Sequence, residues 1–397
     1  FDPLGKAHAA GSWPLRTVSG VWNRKSRRRR VLIVMSNTGG GHKASAQALK
    51  SGFQMLYGNR FEVDIVDLWT DYTTYPFNQM PGTYSFLVKH AWMYWLVFTI
   101  SNPRWLHTAY FTFVLLFIHD KVVQMFEQYK PDLAISVHPL MQHIPIRVLN
   151  SMVAAGTYQP IPFTTVITDF TTCHNTWFHK GVTQCFVPTE QAYHQAKRLG
   201  LRDDQLTIHG LPIRPVFSRP LPSKSTLRKR LGMDKDRPAV LLVGGGEGMG
   251  KIESTVGAIA KKAGSLCQLV VICGRNQSLV KRLKARTFPN GMKVIVNGFV
   301  NNVNEWMGAS DIIITKAGPG TIAEALICGL PILLNGHIPG QEAGNIPYVV
   351  DNNVGTFERR PKRIAAIVKD WITSKQGELK EMSKRARALG RPEVCHR

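Results

Sequence analysis

The chain has 397 residues, of which 44% are hydrophobic, and it carries a formal net charge of +24 at pH 7. This length exceeds that at which a single hydrophobic core usually divides, so we expect two domains. The charge favours a polyanionic partner: a nucleic acid, an anionic membrane or a phosphorylated substrate. Six cysteines without CxxC spacing exclude a disulfide-rich scaffold.

The first thirty residues form a basic arm. Residues 1–30 hold eight Lys or Arg and one acid, yet the rest of the chain still carries +17. An anionic membrane surface attracts such an arm with about 1 kcal/mol for each charge, although a solvated arm has the same composition. Because the chain begins with Phe1 and has no signal-peptide core, we expect a mature form or a fragment.

Apolar, β-rich runs alternate with helical patterns and predict two parallel, doubly wound sheets. The strands predicted for the first sheet are residues 31–35, 61–66, 132–137, 163–167 and 184–187. The strands predicted for the second sheet are residues 239–243, 268–273, 293–297, 311–315 and 331–334. A proline-rich segment, 210–225, is interpreted as the linker between them. The predicted fold class is α/β, with two Rossmann-like domains facing a central cleft.

Residues 86–111 are rich in aromatic side chains but contain no uninterrupted apolar run of ~18 residues. Lys89 and His90 interrupt the run 86–100, and the apolar run 111–118 has only eight residues. Aromatic residues beside basic ones suit a membrane interface, although the core helix of a soluble protein has the same pattern. The sequence therefore predicts a chain that lies on a membrane without a transmembrane helix.

Each predicted domain begins with a strand, a glycine turn and a helix, in "MSNTGGGH" (35–42) and "LVGGGEGMG" (242–250). Such turns present backbone N–H groups and a helix N-terminus to an anion. Neither turn is a Walker loop. No acidic residue stands near 261–264, where a nicotinamide cofactor would need one for its ribose.

A third motif, residues 311–345, orders groups suited to a nucleotide sugar. After a strand, the turn "KAGPGT" offers Lys316 and backbone amides to a diphosphate. Glu324, on the first turns of the following helix, is suited to a ribose diol. The side chains suited to sugar hydroxyls follow in "PGQEAGN" and are Gln341, Glu342 and Asn345.

These motifs resemble the monogalactosyldiacylglycerol synthases of plants and algae, relatives of the bacterial enzyme that adds N-acetylglucosamine to a lipid-linked peptidoglycan precursor. The resemblance covers about 31–390 and includes "LWTDYTTYPFNQMP", "SVHPLMQH" and "TDFTTCHNTWFHK". It implies a GT-B fold and inverting transfer of galactose from UDP-galactose to diacylglycerol at the plastid inner envelope, with phosphatidylglycerol as an activator. It also implies that residues 31–213 receive the lipid acceptor and residues 214–397 bind the nucleotide sugar.

The resemblance assigns roles to matching positions. His42 becomes the acceptor-side base, while Asp169 is either a rival base or a group that orients an imidazole. The residues expected to bind UDP-galactose are Arg214, Gly245, Gly246, Phe299, Lys316, Gly318, Gly320, Thr321, Glu324, Gln341, Glu342 and Asn345. Those expected on the acceptor and anionic-lipid side are Gly39, Gly40, Gly41, Pro76, Asp169 and Trp177.

No metal or cofactor is expected. The predicted turns hold no DxD-type carboxylate pair, so basic side chains and amides are expected to neutralise the diphosphate. Four histidines lack a recognised ligand spacing and are expected to pack or hydrogen-bond instead: His138, His143, His174 and His179. Two alternatives remain open. One is a lipid-acceptor transferase that uses UDP-N-acetylglucosamine, and the other is a nonenzymatic nucleic-acid-binding protein, although no recognised nucleic-acid motif is present. The sequence also leaves open whether the chain forms a homodimer.

Overall fold

The computed structural model describes residues 27–38, 40–245, 248 and 251–395. In this part of the chain, twelve strands form two six-stranded, parallel sheets. The first sheet contains β1 (Arg29–Met35), β2 (Phe61–Asp67), β3 (Leu133–Ser136), β4 (Phe163–Val166), β5 (Gln184–Val187) and β6 (Leu206–Ile208). The second contains β7 (Ala239–Val243), β8 (Gln268–Ile272), β9 (Val294–Asn297), β10 (Ile312–Lys316), β11 (Ile332–Gly336) and β12 (Gly355–Phe357). The predicted α/β class with two parallel sheets is confirmed.

Fifteen α-helices connect the strands in the described residues. Seven belong to the first sheet: α1 (Gly40–Tyr57), α2 (Leu68–Asp71), α3 (Met80–Lys89), α4 (Ala91–Ser101), α5 (Arg104–Tyr129), α6 (His143–Ala154) and α7 (Glu190–Arg198). Eight follow: α8 (Lys224–Arg230), α9 (Ile252–Ala263), α10 (Gln277–Lys284), α11 (Val303–Ala309), α12 (Pro319–Cys328), α13 (Asn345–Asp351), α14 (Pro361–Ile372) and α15 (Gln376–Leu389).

The structure corrects the sequence interpretation in two places. Strands β6 and β12 were not predicted, because three residues are too few to show a strand period. The proline-rich segment was expected to run through residue 225, but α8 begins at Lys224. The Ser223 hydroxyl accepts the backbone N–H of Thr226 and thereby caps this helix.

The order of the strands identifies one crevice in each sheet. The first sheet has the order β2-β1-β3-β4-β5-β6, so the chain changes direction between β1 and β3. The second has the order β12-β11-β10-β7-β8-β9, with the change between β7 and β10. In open α/β sheets, ligands bind beyond the carboxyl ends of the strands at this switch point. The fold therefore offers two ligand positions, which we call the first and the second switch point.

The long connection between β2 and β3 carries α3, α4 and α5. One face of α5 packs on the first sheet through Phe111, Val114, Ile118 and Val122, which recur at helical spacing and are at most 1% exposed. By length and composition α5 could cross a membrane, and 33% of its most apolar window is buried inside the protein. The helix has 26 residues and is longer than the eight-residue apolar run at 111–118, because polar residues on both sides of that run are also helical.

Candidate active site

His42 lies at the first switch point, in the first turn of α1, and is 7% exposed. Its Nδ1 is 3.0 Å from the carbonyl oxygen of Val137 and 2.8 Å from the hydroxyl oxygen of Thr168. A carbonyl oxygen can only accept, so Nδ1 carries the proton and donates it. The lone pair of the imidazole is therefore on Nε2, which has no hydrogen-bond partner among the described residues.

The surroundings of His42 keep its ring neutral. Burial lowers the pKa of His42, while the nearby Asp169 carboxylate opposes this shift. His138 packs edge-on against the ring, with 4.5 Å between the two centroids. Burial holds the pKa of His138 well below its usual range, and its Nε2 is 2.7 Å from the Thr38 hydroxyl. His42 is thus a neutral imidazole whose basic nitrogen is available at neutral pH.

Asp169 follows β4 and is 3% exposed. Its Oδ2 accepts the indole N–H of Trp177 at 2.6 Å, and its Oδ1 accepts the side-chain amide of Gln341 at 2.9 Å. Burial raises the pKa of Asp169, whereas the two donors, and His42 when it is protonated, lower it. A carboxylate held by two donors beside an imidazole is suited to stabilise the imidazolium that forms after proton uptake.

The other acceptor-side residues lie in different environments. Trp177 is fully buried, and its ring centroid is 6.1 Å from that of His42, so it presents no surface to a lipid headgroup. Pro76 is exposed in the segment that precedes α3. Gly40 and Gly41 are exposed, and a Cβ at either position would meet no other atom within 4 Å. Gly39 lies outside the described residues.

Lys316 and Gly245 meet at the second switch point. Gly245, after β7, has a φ of +68°, and a Cβ built on it would lie 3.6 Å from Cε of Lys316, at the end of β10. The Lys316 ammonium pairs with Oε1 of Glu342, and the other oxygen of Glu342 accepts the N–H of Ile338 at 2.8 Å. Gly246 lies outside the described residues. A cation and a glycine turn thus share one crevice, as an anion site requires.

Glu324 pairs with Arg214 across 110 residues. The guanidinium donates to Oε1 of Glu324 at 2.8 and 3.1 Å, and the side chain of Glu324 is 14% exposed. Burial raises the pKa of Glu324, while Arg214 opposes this shift. Oε2 of Glu324 has no hydrogen bond to any described residue. The carboxylate can therefore accept a further donor without losing Arg214.

The remaining donor-side residues surround the start of α12. Gly318 is the N-cap of this ten-residue helix, whose first turn contains Gly320 and Thr321. A Cβ at Gly320 would meet no other atom within 4 Å, so no internal contact requires glycine there. Phe299, beyond the carboxyl end of β9, is 60% exposed. The helix N-terminus and the exposed turn form a surface that favours an anion.

The segment 340–345 joins the two sheets. Asn345 is fully buried: its amide nitrogen donates to the Ala317 carbonyl at 2.8 Å, and its oxygen accepts the Thr171 hydroxyl at 2.9 Å. A Cβ at Gly344 would overlap the Thr172 hydroxyl. Asn345, expected at the sugar, therefore has both of its amide groups engaged in this junction.

Sequence reasoning missed several residues of this region. Thr168 precedes Asp169 in the chain, and its position at the end of a strand could have indicated it. Tyr84 and Tyr94 contact Gln341 from 257 and 247 residues away, and no local pattern indicates such a contact. No three His, Cys, Asp or Glu side chains within the described ranges are placed to share a metal ion.

Comparisons with known proteins point to one family. A family model described as monogalactosyldiacylglycerol (MGDG) synthase matches residues 42–213, and the glycosyltransferase family 28 C-terminal domain matches residues 239–388. Monogalactosyldiacylglycerol synthase 1, chloroplastic, of Arabidopsis thaliana is 50% identical over 93% of this chain and 69% of its own length. A probable monogalactosyldiacylglycerol synthase, chloroplastic, of Nicotiana tabacum is 50% identical over 92% of this chain and 69% of its own length.

Among solved structures, the crystal structure of Acinetobacter baumannii MurG is similar, with a TM-score of 0.58 and 13% identity. The match covers 93% of this chain and 97% of that one. At this identity the likeness concerns the fold alone. It confirms the predicted GT-B arrangement of two Rossmann-like domains.

Proposed function

The chain belongs to the monogalactosyldiacylglycerol synthase family, and we propose that it makes its product by inverting galactose transfer at a membrane surface. It is a galactosyltransferase that forms monogalactosyldiacylglycerol. Family membership implies UDP-galactose as the donor and diacylglycerol as the acceptor. The relatives are named chloroplastic, and we place this chain at the plastid inner envelope as a peripheral protein without a transmembrane helix.

The observation that carries the mechanism is the tautomer of His42. Its Nδ1 donates to Val137 and Thr168, so Nε2 takes the proton from the sn-3 hydroxyl of diacylglycerol. As that proton leaves, the hydroxyl oxygen attacks C1 of galactose from the face opposite UDP, and the C1–O bond to UDP breaks. Asp169 stabilises the imidazolium that results, which is why we assign the base to His42. General-base catalysis of this kind is typically worth about 10² to 10⁴ in rate.

The donor is bound at the second switch point, so residues 31–213 take the acceptor and residues 214–397 the nucleotide sugar. Lys316 exchanges its carboxylate partner for the diphosphate, Arg214 donates to the diphosphate through Nη1 while it keeps Glu324, and no metal is needed. Glu324 accepts the ribose hydroxyls through its second oxygen. The other groups assigned to UDP-galactose are Gly245, Gly246, Phe299, Gly318, Gly320, Thr321, Gln341, Glu342 and Asn345.

The membrane surface is assigned from the outer faces of α4 and α5. They expose large apolar side chains, each 53 to 77% accessible: Trp92, Trp95, Ile100, Trp105, Phe113, Leu116 and Phe117. Aromatic residues of this kind suit the headgroup level of a bilayer. The charge of +24 and the arm 1–30, most of which lies outside the described residues, attract anionic lipid. Phosphatidylglycerol is the proposed activator, acting near the exposed Pro76 and only indirectly on the segment that contains the buried Trp177.

One assay tests the reaction. The purified chain is incubated with dioleoylglycerol and, separately, UDP-galactose, UDP-glucose and UDP-N-acetylglucosamine, and the lipid product is identified by mass spectrometry and NMR. A β-galactosyl lipid is expected, because inversion converts the α-linked donor. An N-acetylglucosaminyl lipid, or an α-galactosyl lipid, contradicts the proposal. Stronger binding of duplex or single-stranded nucleic acid than of UDP would favour the nucleic-acid alternative instead.

A second assay tests the membrane surface. The chain should sediment with phosphatidylglycerol vesicles, dissociate as salt shortens the Debye length from ~10 Å at 0.1 M, and turn over faster there than on phosphatidylcholine vesicles. Trp92→Ala combined with Trp95→Ala should weaken sedimentation with these vesicles, because both side chains are exposed on the outer face of α4. The control is Tyr57→Ala, a 45% exposed aromatic at the end of α1. Equal rates on both vesicle types contradict this part of the proposal.

A further inference from the structure

The loop that follows β11 lies against α3 and α4, and at Gly340 the contact leaves no space for a side chain. Gly340 has a φ of +82°, and a Cβ built on it would lie 2.7 Å from the ring of Phe98 on α4. Gly340 is therefore required both by its backbone conformation and by this contact. The loop brings the next residue, Gln341, between these helices and Asp169.

The side-chain amide of Gln341 joins two tyrosines to Asp169. Its Oε1 accepts the hydroxyls of Tyr94 at 3.0 Å and Tyr84 at 3.2 Å, while its Nε2 donates to Asp169 at 2.9 Å. The two tyrosine rings pack edge to face with their centroids 5.7 Å apart. The Asp169 carboxylate can only accept, so it faces the N–H end of the amide, and both tyrosine hydroxyls donate to the amide oxygen and hold the group in this position.

We propose that Tyr84 and Tyr94 are positioning residues for galactose transfer, which hold the Gln341 amide so that its N–H groups point toward Asp169. The proposal rests on the proposed function, in which Asp169 stabilises protonated His42. If the amide turned over, its oxygen would face the carboxylate and repel it. The tyrosines therefore act on the reaction only through Gln341.

Redundancy gives this arrangement a specific signature. Either hydroxyl alone can fix the amide, because the oxygen then still has a donor. Tyr84→Phe and Tyr94→Phe should each reduce kcat less than threefold, whereas the double variant should reduce it at least tenfold. Affinity for UDP, which lacks the galactose that Gln341 is expected to contact, should stay close to that of the parent protein. The melting temperature should also stay close, since phenylalanine keeps the packing of both rings.

The experiment measures galactolipid formation by the full chain with UDP-galactose and dioleoylglycerol in phosphatidylglycerol vesicles. Tyr110→Phe on α5 is the matched control and should leave the rate unchanged, since Tyr110 makes no hydrogen bond to Gln341. The decisive arm repeats the double substitution in a Gln341→Ala background. There it should cause no further loss of kcat, because the group through which the tyrosines act has been removed.

Three results overturn the inference. They are a double variant with a kcat within twofold of the parent, an equal loss of kcat in the Gln341→Ala background, and a double variant whose activity falls together with its melting temperature. A parent protein that forms no galactolipid at all contradicts the proposed function instead. The two failures are thus distinguishable in one series of measurements.

Discussion

The two switch points have related topology but opposite environments. At the first, the polar side chains are buried: His42 is 7% and Asp169 is 3% exposed. At the second, the cationic side chains remain accessible, 30% for Lys316 and 33% for Arg214. Burial tunes proton affinity and fixes orientation, while accessible cations beside glycine turns attract an anion. This difference supports the proposal that proton transfer and charge binding belong to different sheets.

The first sheet also concentrates the buried histidines. His143 packs between His107 and His179, with ring centroids 5.2 and 4.9 Å away, and His107 lies 6.5 Å from His174. Burial lowers the pKa of all four, that of His143 to about 2 and those of His174 and His179 to about 4. Protonation of these rings would therefore destabilise the region beside the first switch point.

The largest expected effect is acid destabilisation of this region. Below pH ~6.5 the unfolded chain protonates its histidines, whereas the folded chain keeps His143 and His174 neutral down to lower pH. The free energy of unfolding should therefore fall by about 2.7 kcal/mol per pH unit from these two groups as the pH drops below 6. Urea titrations at pH 7, 6 and 5 measure this slope. Hydrogen exchange at pH 5 should rise first in α5 and α6, and a uniform rise across both sheets would contradict the comparison.

His42→Ala tests whether chemistry resides at the first switch point. Loss of a general base should reduce kcat by about 10² or more, while UDP affinity measured by calorimetry stays unchanged because the nucleotide is bound elsewhere. The matched control is His119→Ala, an accessible histidine on α5. Near-normal turnover at saturating acceptor would transfer the role of base to Asp169.

Glu324→Ala tests the second switch point in the same way. It removes one or two charge-assisted hydrogen bonds to ribose, each worth about 1.5 to 3 kcal/mol, so UDP affinity should fall at least tenfold. The control is Glu305→Ala, which breaks the Arg230–Glu305 ion pair in the same half of the chain. If the Glu324 variant melts normally and binds UDP as well as the parent, Glu324 does not contact the ribose.

The smallest expected effect is that of a glycine substitution that changes UDP affinity without lowering the stability of the protein. Gly320→Ala should not destabilise the protein, because a Cβ there meets nothing within 4 Å, and helix propensity contributes about 0.5 to 1 kcal/mol in favour of alanine. UDP affinity should nevertheless fall a few-fold, since the methyl group prevents close approach of the diphosphate. Gly377→Ala, equally open on α15, is the control for propensity alone. Equal UDP affinities for both variants would mean that the turn at Gly320 does not contact UDP.

The features that could be predicted from the sequence are those encoded by short-range patterns of residues. Ten strands and the strand, turn and helix of the motif 311–345 follow from hydrophobic runs and turn residues that are adjacent in the chain. The pairs Arg214–Glu324 and Gln341–Asp169 span 110 and 172 residues, so no local signal reveals them. Trp177 illustrates the same limit: its sequence context does not reveal that the ring is buried against His42. Whether Asn345 reaches the sugar stays a prediction, although the structure places it inside the junction between the sheets.

Helix α4 separates the loop at Gly340 from the exposed aromatic face. Phe98 contacts Gly340 on one side of the helix, while Leu96 and Ile100 on the other side are 42% and 53% exposed. An α-helix with its side chains is about 10 to 12 Å across. If that outer face rests on lipid, a diacylglycerol hydroxyl has to rise only about 10 Å to meet the galactose. Each leaflet contributes about half of a ~30 Å hydrocarbon core, so in that arrangement the acyl chains would stay partly embedded, and the proposed reaction would not require extraction of the lipid from the bilayer.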